Sequence, residues 1–371
     1  MKMKHAVITG QALFLVLFAA ATSHALVNTK LVDEVLAKGV LDAKDLKIID
    51  DFLADAVQDL VRTTDFTSIA KTRTIILSRQ KTQAQYAQQF SESAYKHIAQ
   101  GLQYTASLAE EKRFKVITNL LILIEGLKDP RQTELAVKML DYKNQAVRYW
   151  AVRASTNPGL VDSLIKAGAA SQQLISQITT RLTAIVDTSS PEILTLMADF
   201  AAKIEDPQAE GLLLKVADVR IRSYADWTVK YELVDSSILR VLCDKALSAN
   251  PSKPDVARRF AQLYSYVVQR YINGRDLISD TAKQHLASVM VDTEEKCFVK
   301  LLGRPQATIR RAVENNDLAE LQKEHNRLLG DAATAGDLVT KLKFNYGQNP
   351  DGGSRSSPLA LPAPPKSSAP K

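Results

Sequence analysis

Residues 129–158 decide the fold, and they read DPRQTELAVKMLDYKNQAVRYWAVRASTNP. Asp129 followed by Pro130 predicts a helix start. The aspartate side chain can accept hydrogen bonds from free N–H groups of the first turn, and proline at the first helical position needs no N–H. Helix formers follow, and residues 141–144 supply a polar turn before a second helical segment. The stretch therefore predicts two short helices joined by a tight turn.

The same region, about residues 127–169, resembles a HEAT-type repeat. The turn at Asp141, followed by Val147, Arg148 and Ala151, is similar to the family's Leu-x-Asp turn and Val-Arg-x-x-Ala motif. The resemblance implies that Asp141 and Arg148 tie neighbouring turns together. It also implies an α-solenoid, in which stacked helix pairs bury a continuous core and leave a long concave groove.

Residues 206–230 supply a fainter second match when they are aligned with residues 129–153. Both stretches begin with Asp-Pro, and the chain's 2 tryptophans, Trp150 and Trp227, fall at matching positions. Further helix starts of the cap-then-proline kind occur at Asn157-Pro158 and Ser190-Pro191. We therefore predict HEAT-like helix pairs over residues 107–346.

Residues 26–106 form a separate N-terminal helical region in this prediction. Between Leu41 and Gln100 there is no Gly and no Pro, and apolar residues recur every three or four positions. That spacing is typical of one face of an amphipathic helix. We predict a helical hairpin or small bundle, with helices over residues 46–61, 65–78 and 81–102.

The N-terminus has the three parts of a secretory signal peptide. Lys2 and Lys4 precede an apolar run, which ends in the small-residue site Ser23-His24-Ala25. The run is shorter than the roughly 20 apolar residues that a membrane-spanning helix needs. We expect residues 1–25 to be removed, so that the mature chain is periplasmic, in the cell envelope or secreted, without a transmembrane segment.

Residues 347–371 form the opposite end and are rich in Gly, Ser and Pro. Such a composition buries too little apolar surface to offset the chain entropy, so we expect a disordered tail. Pro362 and Pro365 have the PxxP spacing that ligands of proline-binding domains also show. A flexible spacer is the favoured interpretation.

The formal net charge is +7 over 371 residues. This mildly basic balance is compatible with anionic partners and gives no reason to expect nucleic acid. Two doublets, Arg258-Arg259 and Arg310-Arg311, form a candidate anionic-ligand surface if stacked helices bring them to one face. Phe260, Tyr264 and Tyr271 lie near the first doublet at helical spacing, so we expect them in the core.

The sequence contains 2 cysteines, Cys243 and Cys297. An exported protein can form a disulfide between such residues. Both cysteines lie in apolar helical surroundings, which fit two buried free thiols equally well. The sequence leaves both alternatives open.

Motifs for catalysis and cofactor binding are missing from the sequence. It has no phosphate-binding glycine loop, no Gly-x-Ser-x-Gly and no His-Glu-x-x-His. The histidines outside the predicted signal peptide are His97, His285 and His325, which are too far apart for closely spaced zinc ligands. We therefore expect no enzyme activity, no metal and no cofactor.

The sequence thus predicts an exported all-α scaffold or binding protein, an α-solenoid preceded by the N-terminal helical region. Its partner would be a protein or an anionic envelope polymer, because solenoids offer extended binding surfaces. Two alternatives stay open. One is an all-helical enzyme that acts on an envelope polymer, and the other is a self-assembling structural component.

Expression of the full chain in a secreting host tests the export prediction. We expect the exported protein to begin at Leu26, because signal peptidase would cut after the small residue Ala25. Intact-mass spectrometry and N-terminal sequencing identify the first residue. A cytosolic protein that keeps residues 1–25 would contradict export.

Overall fold

The computed structural model describes residues 27–248, 253–349 and 352–364, and the predicted signal peptide lies outside these ranges. The described residues are mainly helical and contain two isolated β-bridges but no strand, which confirms the all-α prediction. They form two compact units that divide between Ser107 and Leu108. Within these ranges, no helix combines the length and the apolar character that crossing a membrane requires.

The N-terminal unit is a small bundle, with helices α1 (Lys30–Leu36), α2 (Ala43–Arg62), α3 (Phe66–Ser78) and α4 (Ala84–Tyr104). Helix α2 contacts each of the other three. Its apolar stripe from Ile49 to Val61 is buried, as its spacing predicts. Asp42 and Asp45 form a reciprocal capping box at its start, which satisfies N–H groups that the first turn leaves free.

The C-terminal unit is an array of helices. Over the described residues they are α5 (Glu110–Leu127), α6 (Pro130–Val137), α7 (Gln145–Ser155), α8 (Pro158–Ala167), α9 (Gln172–Ile185), α10 (Pro191–Lys203), α11 (Pro207–Ala225), α12 (Val234–Leu247), α13 (Lys253–Asn273), α14 (Asp280–Thr293), α15 (Val299–Leu302), α16 (Thr308–Glu314), α17 (Leu318–Leu329) and α18 (Asp337–Leu342). A π-helical turn, Glu294–Phe298, joins α14 to α15.

The helices of this unit alternate between two layers. In the first layer α5, α7, α10, α12 and α14 contact one another in that order, and in the second α6, α9, α11, α13 and α17 do the same. Contacts between α6 and α7, α10 and α11, and α12 and α13 join the layers. Each pair covers the apolar face of the next, which builds a continuous core. The unit is therefore a helical repeat of the armadillo or HEAT type.

Residues 129–158 fold as the sequence predicts, with α6, a turn and α7. Asp129 accepts a hydrogen bond from the N–H of Arg131 at 2.9 Å. Asn144 accepts from the N–H groups of Ala146 and Val147, so the second helix also has its own cap. Two caps within one short stretch explain why the chain forms a helix pair here and not one long helix.

Asp141 and Arg148 both contact the following turn of the array. Arg148 donates to the carbonyl of Thr188, just after α9, at 3.1 Å, and to the carbonyl of Tyr142 in its own turn. Asp141 lies 3.5 Å from Arg181 of α9. These are contacts between successive turns, of the kind that the resemblance to HEAT repeats implies.

Residues 206–230 do not repeat this local fold, and the alignment with residues 129–153 is wrong in structural terms. Helix α11 runs without a break from Pro207 to Ala225, and Trp227 lies in the loop that follows it, whereas Trp150 lies within α7. The difference arises because residues 206–230 lack a second helix-capping residue equivalent to Asn144. Ile221 occupies the position aligned with Asn144, and an isoleucine side chain cannot accept the N–H bonds that would start a new helix.

A buried ion pair joins α11 to α12. Arg220 donates to both carboxylate oxygens of Asp235, at 2.7 and 2.8 Å, and both side chains are buried. Tyr224 donates to the same carboxylate at 2.8 Å, and Arg220 also donates to the carbonyl of Lys230. Burial lowers the pKa of Arg220, but the charge of Asp235, its hydrogen bonds to Arg220 and further interactions with Tyr224 and Glu232 together raise the pKa above its ordinary value. Both charges are hydrogen-bonded, as burial requires.

Removal of one member of this pair tests its role in stability. Arg220→Met should destabilise the protein by about 3–5 kcal/mol, because it leaves the buried Asp235 carboxylate without its cationic partner. The double variant Arg220→Met with Asp235→Leu should recover part of that loss. Urea unfolding followed by circular dichroism measures both.

The exposed pair of Lys203 and Asp162 supplies the matched control. Lys203→Met should cost less than about 1 kcal/mol, since exposed ion pairs contribute little. If Arg220→Met and Lys203→Met lower the free energy of unfolding by similar amounts, the buried pair does not have the stabilising role assigned to it.

Candidate functional site

Helix α13 is buried along most of its length. Every residue from Phe260 to Tyr271 is buried, and this stretch contains the aromatic residues that we expected in the core. It also contains Gln262, only 6% exposed, and Gln269, only 9% exposed. Residues seven positions apart lie on the same face of a helix, and buried amides need hydrogen-bond partners. The two glutamines therefore mark a polar row on a buried face.

Both glutamines form hydrogen bonds to backbone groups of the C-terminal segment. Gln262 accepts from the N–H of Leu359 at 2.8 Å and donates to the carbonyl of Leu359 at 3.3 Å. Gln269 donates to that carbonyl at 3.1 Å and accepts from the N–H of Leu361 at 2.6 Å. Backbone groups of alternate residues face the same side in an extended chain. The two side-chain amides thus bind the segment as the edge of a β-strand would.

This contact corrects the expected disorder of the tail over residues 352–364. The expectation rested on composition, which does not include partners that the folded unit provides. Leu361 is only 9% exposed, and its backbone is hydrogen-bonded, so this part of the tail has a fixed place. Pro365 and the residues after it lie outside the described ranges, and the PxxP interpretation is not tested. We call the surface formed by Gln262, Gln269 and Trp227 the tail groove.

Trp227 forms the far end of the tail groove. Its indole Nε1 donates to the carbonyl of Pro362 at 2.8 Å. The residue has φ 58°, a left-handed conformation that is strained for a bulky side chain and is concentrated at functional sites. The guanidinium of Arg270 lies 5.0 Å from the centre of the indole ring. A Cβ atom at Gly274 would lie 2.9 Å from the same ring, so glycine is required there.

A chain of hydrogen bonds fixes the orientation of the Gln269 amide. His325 Nδ1 lies 3.0 Å from Asn326 Oδ1, which can only accept, so Nδ1 carries the proton. His325 Nε2 then accepts from the hydroxyl of Ser265 at 2.9 Å. The Ser265 oxygen in turn accepts from Gln269 Nε2 at 2.8 Å. The Gln269 oxygen is therefore directed to the N–H of Leu361, and the amide is fully hydrogen-bonded.

A short hairpin brings the tail to the groove. The N–H of Tyr346 donates to the carbonyl of Arg355 at 3.0 Å, and the N–H of Arg355 donates to the carbonyl of Gly347 at 2.8 Å. The Tyr346 hydroxyl donates to the carbonyl of Leu329 in α17, which attaches the hairpin to the array. At Gly330 a Cβ would lie 2.5 Å from the carbonyl oxygen of Ser356. The tail therefore starts from a fixed point beside α17.

The arginine doublets do not form the anionic-ligand surface that we expected. Arg259 binds Asp218 of α11 through two hydrogen bonds, at 2.8 and 3.0 Å, and Arg258 pairs with Asp255. Arg310 pairs with Glu295, and Arg311 donates to the carbonyl of Ala307. Carboxylates of the same or neighbouring helices neutralise most of this charge, which the linear sequence could not show.

Cys243 and Cys297 are free thiols, and both are buried. The Cys243 sulfur lies 3.9 Å from the carbonyl oxygen of Cys297. The hydrogen bond with Cys243 and the burial raise the pKa of the Cys297 thiol. The structure thus has the second of the two alternatives left open by the sequence, and a thiol with a raised pKa is a poor nucleophile.

Comparisons with solved structures find similarity to a designed and an engineered protein, both at low sequence identity. No model of a known protein family matches the chain, and no curated protein matches it either. A designed armadillo repeat protein is 16% identical, with 72% of this chain and 99% of that chain covered and a TM-score of 0.25. An engineered protein from a structural genomics consortium is 14% identical, with coverages of 85% and 98% and a TM-score of 0.19.

The buried His325 predicts a pH dependence of stability. Burial lowers its pKa below the ordinary value of 6.5, so the folded protein takes up the proton at lower pH than the unfolded chain does. The contribution of this residue to stability is complete above pH 6.5 and is lost as the pH falls through the lowered pKa.

Urea unfolding at about pH 7.5 and about pH 5 measures this effect. We expect the free energy of unfolding to fall at the lower pH, and we expect His325→Asn to reduce that fall. An equal fall in wild type and variant would contradict the role assigned to His325.

Proposed function

We propose that this protein is an exported helical-repeat binding protein whose tail groove holds protein segments in an extended conformation. The observation that carries the proposal is the binding of Leu359 and Leu361 by the side-chain amides of Gln262 and Gln269. These contacts recognise a backbone, which every polypeptide has, and not a particular fold.

The construction of the groove supports a binding role. Burial of polar side chains is costly unless they are paired, and α13 buries two glutamines that both form hydrogen bonds to this one segment of chain. Trp227, at the end of the groove, has a strained backbone conformation. His325 orients the Gln269 amide through a chain of hydrogen bonds that passes through Ser265. If the tail only packed against α13 to cover it, apolar side chains at positions 262 and 269 would be sufficient.

A protein partner is better supported than an anionic polymer. The arginine doublets are paired with carboxylates or bound to the backbone, as described above. A second concave surface, a groove of about 950 Å³ between α6 and α9, is lined by Arg131, Lys138 and Arg181 together with Glu134. Arg181 already lies near Asp141, so the charge there is also partly balanced.

The two alternatives predict different observations. An enzyme acting on a polymer would need converging carboxylates in a cleft, and Glu134 is the single acidic residue that lines the groove between α6 and α9. A self-assembling component would show an increase in size with concentration in light scattering. A binding protein stays the same size until its partner is added.

The proposal can be tested in the full chain with the tail displaced. Leu361→Asp places a charge in the apolar position of the tail and should release it from the groove. The experiment uses a fluorescent peptide with the sequence of residues 357–364, and fluorescence anisotropy measures its binding. We expect saturable binding to the Leu361→Asp protein.

A second substitution locates the binding. Gln269→Ala in the Leu361→Asp protein should weaken peptide binding by about tenfold or more, because two backbone hydrogen bonds are lost. Gln173→Ala removes an exposed glutamine of α9 and should leave binding unchanged. Absence of saturable binding, or equal effects of Gln269→Ala and Gln173→Ala, would refute the proposal.

A further inference from the structure

The contacts of the tail with its groove differ from residue to residue, and they define a recognition rule. The main chain of Leu359 contributes an N–H and a carbonyl, whereas its side chain is 45% exposed. Ala360 is exposed. Leu361 contributes an N–H and a buried side chain, and Pro362 contributes only a carbonyl. The groove therefore recognises the side chain of Leu361 and the backbone of residues 359–362.

Each contact excludes a class of residue. A proline at the position of Leu359 or Leu361 would remove an N–H that Gln262 or Gln269 binds. A charged residue at the position of Leu361 would be buried without a partner. Proline after the apolar anchor is favoured for two reasons. It holds the preceding residue in an extended conformation, and the groove forms no hydrogen bond that would need an N–H at this position.

We propose that the partner of the tail groove is a segment of another protein with the pattern non-proline, any residue, leucine-like anchor, proline. The chain's own residues 359–362 are the resident copy of this pattern. The inference rests on the proposed function and adds to it the class of ligand. The partner displaces the tail when it binds, because both need the same amides of Gln262 and Gln269.

Attachment of the tail argues against exchange between two copies of the chain. The hairpin of residues 346–355 ends only four residues before Leu359 and is bound to α17 through Tyr346. A short tether of this kind gives the tail an effective concentration of about millimolar at its own groove. A tail from a second molecule must compete against that value, and so must any partner.

A panel of peptides tests the rule on the full-length Leu361→Asp protein. The parent peptide again has the sequence of residues 357–364, and each variant carries one substitution. We expect about 30-fold weaker binding for Leu361→Asp, where a charge is buried. We expect about tenfold weaker binding for Leu359→Pro, which loses a hydrogen bond to Gln262.

Matched controls use the same positions. Leu359→Ala keeps the N–H and removes an exposed side chain, and Ala360→Lys changes an exposed residue. Both peptides should bind within about threefold of the parent, as surface changes usually do. If Leu359→Pro and Leu359→Ala peptides bind equally, the rule is wrong although the groove still binds peptides. If the parent peptide does not bind at all, the proposed function itself fails.

Competition by the tail has its own readout. Trp150→Phe leaves Trp227 as the single tryptophan, so its emission reports on the groove. The Trp150→Phe protein with the wild-type tail should bind the parent peptide about 100-fold more weakly than the Trp150→Phe protein that also carries Leu361→Asp, because the wild-type tail is a tethered competitor. Equal affinities would overturn the displacement step, and a dimer with exchanged tails in size-exclusion chromatography would assign the groove to a second copy.

Discussion

The burial of α13 is the constraint on which the C-terminal unit depends. This helix contacts α11 and α12 on one side and α14 and α17 on the other, so its residues from Phe260 to Tyr271 have little access to water. A polar side chain buried there costs free energy unless it is paired within the protein. The tail supplies both hydrogen bonds of Gln262 and completes those of Gln269, which also donates to Ser265. The groove and its occupant thus follow from one helix being placed inside the array.

The sequence was informative wherever structure is local. Helices α2, α3 and α4, the pair formed by α6 and α7, and the Asp-Pro and Asn-Pro caps depend on residues a few positions apart, and these were predicted, whereas α1 was not. The predicted equivalence of residues 206–230 and 129–153 was wrong because of one residue: Ile221 cannot cap a helix as Asn144 does. The arginine doublets failed because Asp218 lies in another helix, 41 residues from Arg259.

The tail groove could not be predicted, since its contacts join residues far apart in the chain. Leu359 lies 97 residues from Gln262, and Pro362 lies 135 residues from Trp227. Composition alone assigns the tail to disorder, because a chain rich in Pro and Ser has little to bury by itself. One signal was available. Two glutamines seven positions apart lie in a stretch of α13 rich in apolar and aromatic residues, and buried amides there need hydrogen-bond partners.

The distance between α13 and the tail also has a consequence for synthesis. The chain is made from its N-terminus, and domains fold as they emerge at about 5–20 residues per second. Gln269 precedes Leu359 by 90 residues, so α13 is complete several seconds before the tail exists. During that interval the two glutamines of α13 have been synthesised but their partners in the tail have not. The hydrogen bonds of Gln262 and Gln269 to the tail can therefore form only after residues 359–361 have been added.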